Sequence, residues 1–383
     1  MKIAHVNMFY LPTFGGVEQV MYELAQRQVQ DGHEVHVYCC NSDKKSRLKK
    51  KEEIIDGVHI HRLSYLFRLS LNTFIWPSLL WNFNQRFDIV HTHVSGHLYI
   101  LLMGFLSRVR NMPHIHTTHC PWTDASFRPK ILRPFLFLND FIFNRIAYSM
   151  IDKIIAITPW ELDILKKYGD DETKIGVIPN GVDKILFDKI SPNTFRKKYG
   201  ITQKHLVLFF GRLNPTKGPE MLARAAIELS KKRKDIAFIW VGPDEGKAEE
   251  VQSLIKNYPN MKYIGPLRGK EKIAEMYQAS TLYVLPSYRE GLPLTLFEAM
   301  ASGLAIVASP VNGVPFEMKE GENGFFSDYG NVENLAEKIA FLLDNKKLRE
   351  EIAHNNFKKS QAYDWDSIAQ RYINEYKKLV KKK

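Results

Sequence analysis

The stretch HLVLFFGRLNPTKGPEMLARAAIELSKK (residues 205–232) contains a strand, a loop and a helix in immediate succession. His205–Phe210 is a short apolar run of the kind that forms a buried strand, whereas Pro219–Lys232 has the apolar spacing of an amphipathic helix. Parallel strands are joined by helical crossovers, so a strand that leads directly into a helix predicts a parallel α/β sheet.

The same alternation runs through most of the chain. Upstream, β-rich runs predict strands at residues 2–7, 34–39, 58–63, 89–93, 114–118, 153–156 and 175–178; downstream, at 236–241, 261–264, 282–285 and 305–309. Helices are predicted at 17–31, around Ala147 and at 294–302, and the chain is predicted to be wholly helical from Val332 onward. We therefore expect an α/β protein with two doubly wound parallel sheets.

The alternation pauses after IPNGVD (residues 178–183), where Pro192 and a basic stretch separate the two series. At 383 residues the chain exceeds the length at which one hydrophobic core usually keeps growing. We place a domain boundary there, with an N-terminal domain at 1–190 and a C-terminal domain at 191–365. Ligands bind beyond the carboxyl ends of parallel strands, so two such domains facing each other would form a deep cleft.

Composition indicates a globular protein, with 45% hydrophobic and 25% charged residues. Cys39, Cys40 and Cys120 have neither the even number of a disulfide framework nor the spacing of a zinc site. The opening KIAHVNMFY mixes polar with apolar residues, unlike a signal peptide, and no apolar run approaches the roughly 20 residues of a membrane span. These features predict a cytoplasmic protein with at most a peripheral membrane attachment.

Candidate chemistry lies in loops that follow predicted strands. FFGRLNPTKG places Arg212 and Lys217 between a strand and a helix. Two cations there can hold a diphosphate and stabilise the negative charge that develops when it departs. Two solvated surface cations are the alternative, but the position at a strand end favours the phosphate site.

LPSYREGLPLTLFEAMASG follows another predicted strand and carries Glu290 and Glu298. Its second half is a predicted helix, so the free amides of Leu294 and Thr295 form an anion site. The two carboxylates can bind hydroxyls of a sugar and a ribose on either side of that phosphate. The string therefore predicts a site for a phosphate flanked by sugars.

Two further strand ends carry candidate residues. LPTFGGVEQV has Gly15 and Gly16 before a helix, where backbone can approach a phosphate closely. HIHTTHCPW brings His116 and His119 to the end of a strand, where one of them could act. Because no matching cysteine or carboxylate spacing accompanies them, we predict no metal site.

Two further strings resemble ligand-binding motifs but do not match them. GPDEGK (residues 242–247) is one residue short of a phosphate-loop spacing and is followed by Ala248 in place of Ser or Thr. Asp364, Trp365 and Asp366 spell an acidic triplet that binds metal in one class of sugar transferases, but they lie just before the last predicted helix. Asp366 is better explained as the N-cap of that helix.

Together these strings resemble the large family 4 of retaining glycosyltransferases, which have the two-domain GT-B fold. The resemblance spans nearly the whole chain: the glycine pair, the histidine after Thr117 and Thr118, IPNGVD, GRL with KG, the EG and EAMA box, and the tryptophan before the final helix. It implies two Rossmann-like domains, the first binding the acceptor and the second the nucleotide sugar. It also implies that the final helix (366–383) crosses back to the first domain.

By this resemblance, Arg212 and Lys217 would hold the donor diphosphate, Glu298 the ribose and Glu290 the transferred sugar. His119 would lie beside that sugar, which makes the implied catalytic set His119, Arg212, Lys217 and Glu290. The implied donor-binding set is Gly15, Gly16, Arg212, Lys217, Glu290, Gly291, Leu294, Thr295 and Glu298.

The implied reaction moves a hexose from a UDP- or GDP-sugar with retention of anomeric configuration, and it needs neither a metal nor another cofactor. VNGVPFEM (residues 311–318) departs from the family pattern. Relatives commonly have a glycine-rich turn followed directly by an acid there, and in this chain Pro315, Phe316 and Glu317 intervene. The sugar contacts of that loop are therefore not carried over.

Other functions are compatible with parts of this sequence. A nucleotide-sugar epimerase or a phosphorylase could use a similar two-domain fold. A glycosidase needs paired acids that face each other across the bond at roughly 5 to 10 Å, whereas these acids lie on one element beside a phosphate site. The pI of about 9.3 would suit a nucleic-acid-binding protein, but no finger, RNP or helix-turn-helix signature accompanies it.

The net charge of +12 is concentrated, because residues 44–145 hold 15 Lys or Arg against 6 Asp or Glu. Aromatic residues lie among these cations in two segments: Tyr65, Phe67, Phe74, Trp76, Trp81, Phe83 and Phe87 with Arg62, Arg68 and Arg86, and Trp122, Phe127, Phe135, Phe137, Phe141 and Phe143 with Arg128, Lys130, Arg133 and Arg145. Such a surface can insert shallowly into a bilayer while each cation near lipid phosphates contributes about 1 kcal/mol. We expect a lipid-linked acceptor and an anionic membrane surface, on the inner face of the cell membrane, as partners, and no nucleic acid. The alternative is that many of these aromatics are core residues.

Overall fold

The structure, a computed structural model, describes residues 1–13, 15–43, 46–70, 73–120, 142–168 and 172–382. It divides into two compact units, Met1–Asn180 with Trp365–Lys383, and Gly181–Asp364. The division falls before IPNGVD ends and not near residue 190. The reason is that Val182 donates its amide to the Tyr363 carbonyl (2.8 Å), which ties this segment to the second unit.

The strands of the described residues follow in chain order: β1 Lys2–Val6, β2 Glu34–Cys40, β3 Glu52–Ile55, β4 Val58–Leu63, β5 Phe67–Ser70, β6 Thr73–Ile75, β7 Ile89–His93, β8 His114–Thr117, β9 Lys153–Ala156, β10 Ile175–Val177, β11 His205–Phe210, β12 Ile236–Val241, β13 Met261–Tyr263, β14 Leu282–Leu285, β15 Ala305–Ala308 and β16 Gly324–Phe326.

The α-helices of the same residues are α1 Gly16–Gln30, α2 Leu79–Asn82, α3 Leu98–Val109, α4 Asn144–Ser149, α5 Leu162–Lys167, α6 Asn193–Tyr199, α7 Pro219–Lys232, α8 Ala248–Ile255, α9 Lys270–Ala279, α10 Leu294–Ala301, α11 Val314–Glu317, α12 Val332–Asp344, α13 Lys346–Ser360 and α14 Trp365–Lys382. Within this part of the chain, no helix combines the length and the apolar character needed to cross a bilayer.

The first unit is built on an eight-stranded sheet with the order β10-β9-β8-β7-β1-β2-β4-β3. All its strand pairs are parallel except β3 with β4 at the edge. The second unit has a six-stranded parallel sheet with the order β13-β12-β11-β14-β15-β16. Both are doubly wound sheets, as the sequence predicts.

The second sheet shows why its strands were predictable. Every residue of β12 (IAFIWV) is buried, because helices cover both faces of a parallel sheet and each strand is then apolar on both sides. Trp240 packs in this core and donates its indole N–H to the Pro219 carbonyl (3.0 Å) at the start of α7. This bond fixes the helix that begins directly after the β11 loop.

The final helix α14 belongs to the first unit, where it packs on α1 and buries Trp365, Tyr372 and Tyr376. It begins at Trp365, so the prediction that Asp366 is its N-cap was wrong. Asp366 lies in the first helical turn and pairs with Arg27 of α1 (2.6 Å). A carboxylate there is favourable beside the positive end of the helix dipole.

Candidate functional site

The loop between β11 and α7 is organised by one side chain, Asn214. Its carboxamide oxygen accepts hydrogen bonds from the Thr216 amide (3.1 Å), the Thr216 hydroxyl (2.9 Å) and the Lys217 amide (3.1 Å). Asparagine commonly closes turns in this way. The bonds fix the backbone that carries Lys217, and sequence reasoning did not single out Asn214.

A second loop, between β14 and α10, lies directly against the first. The Thr216 carbonyl accepts from the amides of Tyr288 (2.9 Å) and Arg289 (3.3 Å). The loops approach so closely at Gly218, which has φ 60°, that a Cβ there would lie 2.2 Å from the Pro286 carbonyl oxygen. β11 and β14 are neighbours in the sheet, so both loops leave the same edge.

Lys217 and Glu290 meet across these loops. The ammonium lies 2.7 and 2.6 Å from the two carboxylate oxygens, and the Ser287 hydroxyl donates to Glu290 at 2.6 Å. Glu290 is buried and the lysine side chain is 18% exposed. An ammonium has three N–H donors and the carboxylate uses one or two of them, so Lys217 can also donate to an anion.

Arg212 is held at the edge of the same cluster by Glu245. Its guanidinium lies 3.0 Å from the carboxylate, to which Asn214 also donates (3.0 Å). The arginine side chain is 53% exposed and therefore accessible to a ligand. Glu245 belongs to GPDEGK, the segment whose spacing does not match a phosphate loop.

The GPDEGK segment is a capping loop and not a phosphate loop. The Asp244 carboxylate accepts from the amides of Gly246 (2.8 Å), Lys247 (3.1 Å) and Ala248 (3.0 Å) at the start of α8. Those bonds hold the pKa of Asp244 below its usual value, because they favour the ionised carboxylate. What the segment contributes to the site is the side chain of Glu245.

Helix α10 begins at Leu294, after Pro293, at the carboxyl end of β14. The amides of Leu294 and Thr295 have no intrahelical acceptor, because no residue four positions earlier belongs to the helix. The Thr295 hydroxyl is held by Tyr283 (2.7 Å). This helix start lies four residues after Glu290 and gives the site a positive end of a helix dipole.

Glu298 lies one turn into α10 and is buried. Tyr277 donates its hydroxyl to one carboxylate oxygen (2.9 Å), which leaves the other oxygen available. Burial raises the pKa of Glu298 to about 7, because desolvation disfavours its charged form more strongly than the Tyr277 hydrogen bond favours it. Glu298 therefore changes protonation state near neutral pH.

The segment that departs from the family pattern is used structurally. The Glu317 carboxylate accepts from the Tyr363 hydroxyl (2.7 Å) and lies 3.5 Å from the Lys359 ammonium. Asn312 instead reaches the site, because its side-chain amide donates to the backbone carbonyl of Glu290. The loop thus supports Glu290 through Asn312.

In the first unit, Gly15 is extended and Gly16 is the first residue of α1. A Cβ at Gly15 would lie 2.6 Å from a carboxylate oxygen of Glu18, whereas none of the described atoms lies within 4 Å of the corresponding position at Gly16. Glu18 is buried in the first turn of the helix. The role of both glycines in phosphate binding stays a prediction.

The structure separates the two histidines that the sequence left open. His116 is buried on β8 and bonds the hydroxyls of Thr92 (2.9 Å) and Ser95 (2.8 Å), so both of its nitrogens serve the core. His119 follows the strand, is half-buried, and has one nitrogen 3.0 Å from His93. Of the two, His119 is the candidate for a ligand.

His5, His91 and His93 are the group among the described residues whose ligand atoms come close enough for a metal, within 4.8 Å of one another. All three are buried, and their nitrogens bond protein partners: Gln28, Tyr376, Thr117, His119 and one another. A metal would have to break several of these bonds. The arrangement therefore fits a hydrogen-bonded core better than a metal site.

The predicted aromatic surface is partly wrong. Phe74, Trp76, Phe83 and Phe87 are buried in the core of the first unit, which leaves Trp81 and Phe67 exposed. Of the second predicted segment, the residues up to Phe141 lie outside the described residues, and Phe143 is half-buried.

A different apolar surface is exposed on α3 and beside it. Leu98, Phe105 and Val109 share one face of α3, because they are spaced by about two turns and then by one turn, and all are exposed. Ile142 and Ile146, at the adjacent α4, are exposed as well. Arg108 and Arg145 lie among them and are exposed. We call these residues the α3 surface.

Comparisons with known proteins agree with this architecture. Residues 14–184 match the model "Glycosyltransferase Family 4", and residues 192–359 match "Glycosyl transferases group 1". N,N'-diacetylbacillosaminyl-diphospho-undecaprenol alpha-1,3-N-acetylgalactosaminyltransferase of Campylobacter jejuni is 27% identical, with 81% of each chain covered. D-inositol 3-phosphate glycosyltransferase of a Nocardioides species is 24% identical over 95% of this chain and 85% of that relative.

Among solved structures, Anabaena HepE in complex with UDP superposes with a TM-score of 0.79 at 19% identity, covering 99% of this chain and 100% of that one. WaaG, a glycosyltransferase involved in lipopolysaccharide biosynthesis, gives a TM-score of 0.71 at 18% identity, with 98% and 99% covered. At these identities the likeness establishes the fold. The fold and the two family matches, one in each half of the chain, show that this protein is a GT-B glycosyltransferase of family 4.

Proposed function

We propose that this protein transfers a hexose from a UDP- or GDP-sugar to a lipid-linked acceptor, with retention of anomeric configuration and without a metal or other cofactor. The observation that carries the donor assignment is the Lys217 and Glu290 pair beside the start of α10. Cation, helix amides and buried carboxylate come together at adjacent strand ends, where parallel sheets bind phosphates.

The donor diphosphate fits between the cations and the helix. Lys217 and Arg212 would neutralise the charge that grows on the departing nucleoside diphosphate, and the amides of Leu294 and Thr295 would donate to its oxygens. These side chains supply the positive charge that a bound metal supplies elsewhere. This supports a metal-independent reaction.

The two carboxylates suit the hydroxyls at either end of the donor. Glu298 has one oxygen beyond its bond to Tyr277, which would accept from the ribose. Glu290, which is followed by Gly291 in the loop, would accept from hydroxyls of the transferred sugar. The roles of Gly15, Gly16 and His119 in the first unit rest on the family resemblance, as does retention.

The acceptor assignment rests on two observations. A relative, the Campylobacter jejuni transferase, is named for a diphospho-undecaprenol acceptor. The α3 surface combines exposed apolar side chains with arginines, a combination that matches an anionic lipid surface. We propose that the first unit docks on such a membrane through the α3 surface.

The donor assignment is tested with a panel of UDP-, GDP- and ADP-sugars in buffer that contains EDTA. We expect a UDP- or GDP-sugar to raise the melting temperature, because only bound ligand stabilises the folded state, and we expect turnover to persist. Stabilisation by none of the panel would refute the donor site. Turnover that EDTA abolishes and Mg²⁺ or Mn²⁺ restores would refute metal independence.

Glu298 makes donor affinity depend on pH. Ribose hydroxyls bond the ionised carboxylate best, and the pKa of free Glu298 is about 7, so binding releases a proton below that pH. We expect nucleotide affinity to rise as pH increases from about 6 to 8 and then to level off. Calorimetry across this range measures it; Glu298→Gln, which cannot ionise, should lose the dependence. A wild-type affinity that is flat with pH contradicts the role.

Folding stability has the opposite dependence on the same group. The pKa of Glu298 is higher in the folded protein than the ordinary value of 4.5, so the native state binds more protons between these values. Stability from this group is therefore present at low pH and is lost as pH rises from about 4.5 through about 7. This loss of stability at higher pH could alter the apparent donor affinity. The Glu298→Gln control separates the two effects, because its side chain does not ionise.

Membrane docking is tested by flotation with vesicles of neutral or anionic lipid. We expect binding to anionic vesicles, and we expect Phe105→Asp to weaken it at least about tenfold, because a charge replaces an inserting aromatic side chain. Phe341→Asp, at an exposed phenylalanine of the second unit, is the matched control and should bind normally. Equal failure of the wild type to bind both vesicle types would exclude docking and favour a soluble acceptor.

A further inference from the structure

One face of the first sheet carries a layer of histidines. His5 on β1 lies opposite His91 on β7, and His93 follows two residues later on the same face. Helices α1 and α14 supply Gln28, Tyr372 and Tyr376 to this layer, and all of these residues are buried. Parallel strands of this kind are usually apolar on both faces, so a polar layer here calls for a reason.

Two of these histidines, His5 and His93, form a continuous hydrogen-bonded chain with Gln28 at one end and His119 at the other. The Gln28 carboxamide oxygen lies 2.8 Å from Nε2 of His5, and Nδ1 of His5 lies 3.0 Å from Nε2 of His93. Nδ1 of His93 then lies 3.0 Å from Nε2 of His119. Each link uses one nitrogen of each ring, so the chain leaves only Nδ1 of His119 unused.

The first link gives the chain a direction. A carboxamide oxygen only accepts, so His5 carries its proton on Nε2, and a neutral imidazole then has a bare Nδ1. His93 must donate from Nε2 to that nitrogen, and His119 must donate from Nε2 to His93 by the same argument. In this orientation the other carboxamide atom of Gln28, Nε2, donates to the Tyr376 hydroxyl (3.5 Å).

The imidazole rings of His5, His93 and His119 are neutral, so each carries a single ring proton. Burial lowers the pKa of His5 to about 4 and that of His119 to about 3, and it lowers the pKa of His93 well below 6.5. The histidine neighbours of His93 lower its pKa further, since a second charge would repel the first.

The backbone at the end of the chain is held in an unusual conformation. His119 and Cys120 both have positive φ values, 56° and 49°, although neither is glycine. The Glu161 carboxylate accepts from the Cys120 amide (3.1 Å) and the Ile157 amide (2.7 Å), which ties this turn to the end of β9. Left-handed backbone at non-glycine residues is uncommon and often lies at functional sites.

We propose that Gln28, His5 and His93 are positioning residues that fix the tautomer of His119, with Nε2 protonated and Nδ1 presented as a hydrogen-bond acceptor. Among the described residues of the first unit, no group bonds that Nδ1. It is therefore suited to accept from a hydroxyl group. That this hydroxyl belongs to a sugar substrate rests on the proposed function; the tautomer does not.

The tautomer is tested directly by long-range proton–nitrogen NMR of the full-length protein labelled with 15N-histidine. The His119 signals are assigned with a His119→Asn variant. We expect His5, His93 and His119 each to show a protonated Nε2 and a bare Nδ1 at pH 7. A His119 ring with its proton on Nδ1, or a charged ring, in the wild-type spectrum overturns the proposal.

The role of Gln28 is tested with Gln28→Met, which keeps the size of the side chain and removes the acceptor. We expect the Nδ1-protonated form of His119 to appear and kcat to fall on the order of tenfold, with the donor KM within about twofold. Gln30→Met, at an exposed position of the same helix, should match the wild type. His119 signals and kcat equal to those of Gln30→Met would overturn the proposal.

The two proposals fail separately. Absence of turnover with every nucleotide sugar, alongside the expected wild-type spectrum, would refute the transferase assignment and leave the histidine chain standing. The reverse result, normal turnover with a Nδ1-protonated His119, would refute the proposed histidine chain and leave the transferase assignment standing.

Discussion

Replacing Lys217 with alanine is expected to lower turnover on the order of 100-fold or more, with little change in the fold. The variant removes one of the two cations that would stabilise the departing diphosphate, an effect of the size found when one such stabilising donor is lost. It also leaves the buried Glu290 carboxylate without its partner, which disfavours donor binding further. Arg212→Ala is expected to lower turnover to a similar degree. The measurement is kcat with the preferred nucleotide sugar, together with the melting temperature.

Two controls separate chemistry from stability. Lys231→Ala removes an exposed lysine that pairs with Glu228 on the same helix, and it should retain full turnover. In Lys217→Ala combined with Glu290→Gln, no charge is left buried and unpaired, so the melting temperature should recover while turnover does not. Near-normal turnover in both Lys217→Ala and Arg212→Ala would remove the leaving-group role from the proposal.

The strands of both sheets could be predicted because helices cover them on both sides. Burial on two faces makes β11, β12 and β14 continuous apolar runs, which are recognisable in sequence. β3 (EEII) was missed, since it is an edge strand with one solvated side and carries two acids. β16 was missed because three residues, GFF, are too few to show a period.

The donor-site residues could be predicted where they belong to a local pattern. Lys217 and Glu290 each follow a strand, and their pairing follows from β11 and β14 being neighbours. Asn214 and Glu245 could not be predicted in the same way, because their roles depend on contacts between loops far apart in sequence. The turn-forming string Asn-Pro-Thr at 214–216 was the available signal for Asn214.

The aromatic surface was mispredicted for a related reason. Aromatic residues with interspersed arginines occur both on membrane-binding surfaces and where helices and loops cover a sheet, and composition does not distinguish the two. Phe74 and Trp76 pack with Phe9 and Tyr99 in the core. The α3 surface was overlooked because α3 is apolar nearly all round, so the sequence pattern does not distinguish its exposed face from its buried face.

Gly218→Ala is expected to damage the donor site, because it forces apart the two loops that carry Lys217 and Glu290. Its φ of 60° already disfavours a side chain, and the added Cβ would lie 2.2 Å from the Pro286 carbonyl oxygen and 3.0 Å from the Tyr329 ring. The β11 and β14 loops must then separate. That movement breaks the bonds from Tyr288 and Arg289 to Thr216 and draws Lys217 away from Glu290.

Gly321→Ala separates this collision from backbone strain. Gly321 lies in the same unit with φ 77°, and none of the described atoms lies within 4 Å of its added Cβ. The control should therefore lose about 1–2 kcal/mol of unfolding free energy from the left-handed conformation alone. Gly218→Ala should lose more than about 3 kcal/mol, because the collision adds to that strain, and should bind donor at least about tenfold more weakly. Denaturant unfolding and donor titration measure both effects. Equal losses in the two variants would show that the loops can part freely, and the close approach at Gly218 would then have no part in holding Lys217 and Glu290 together.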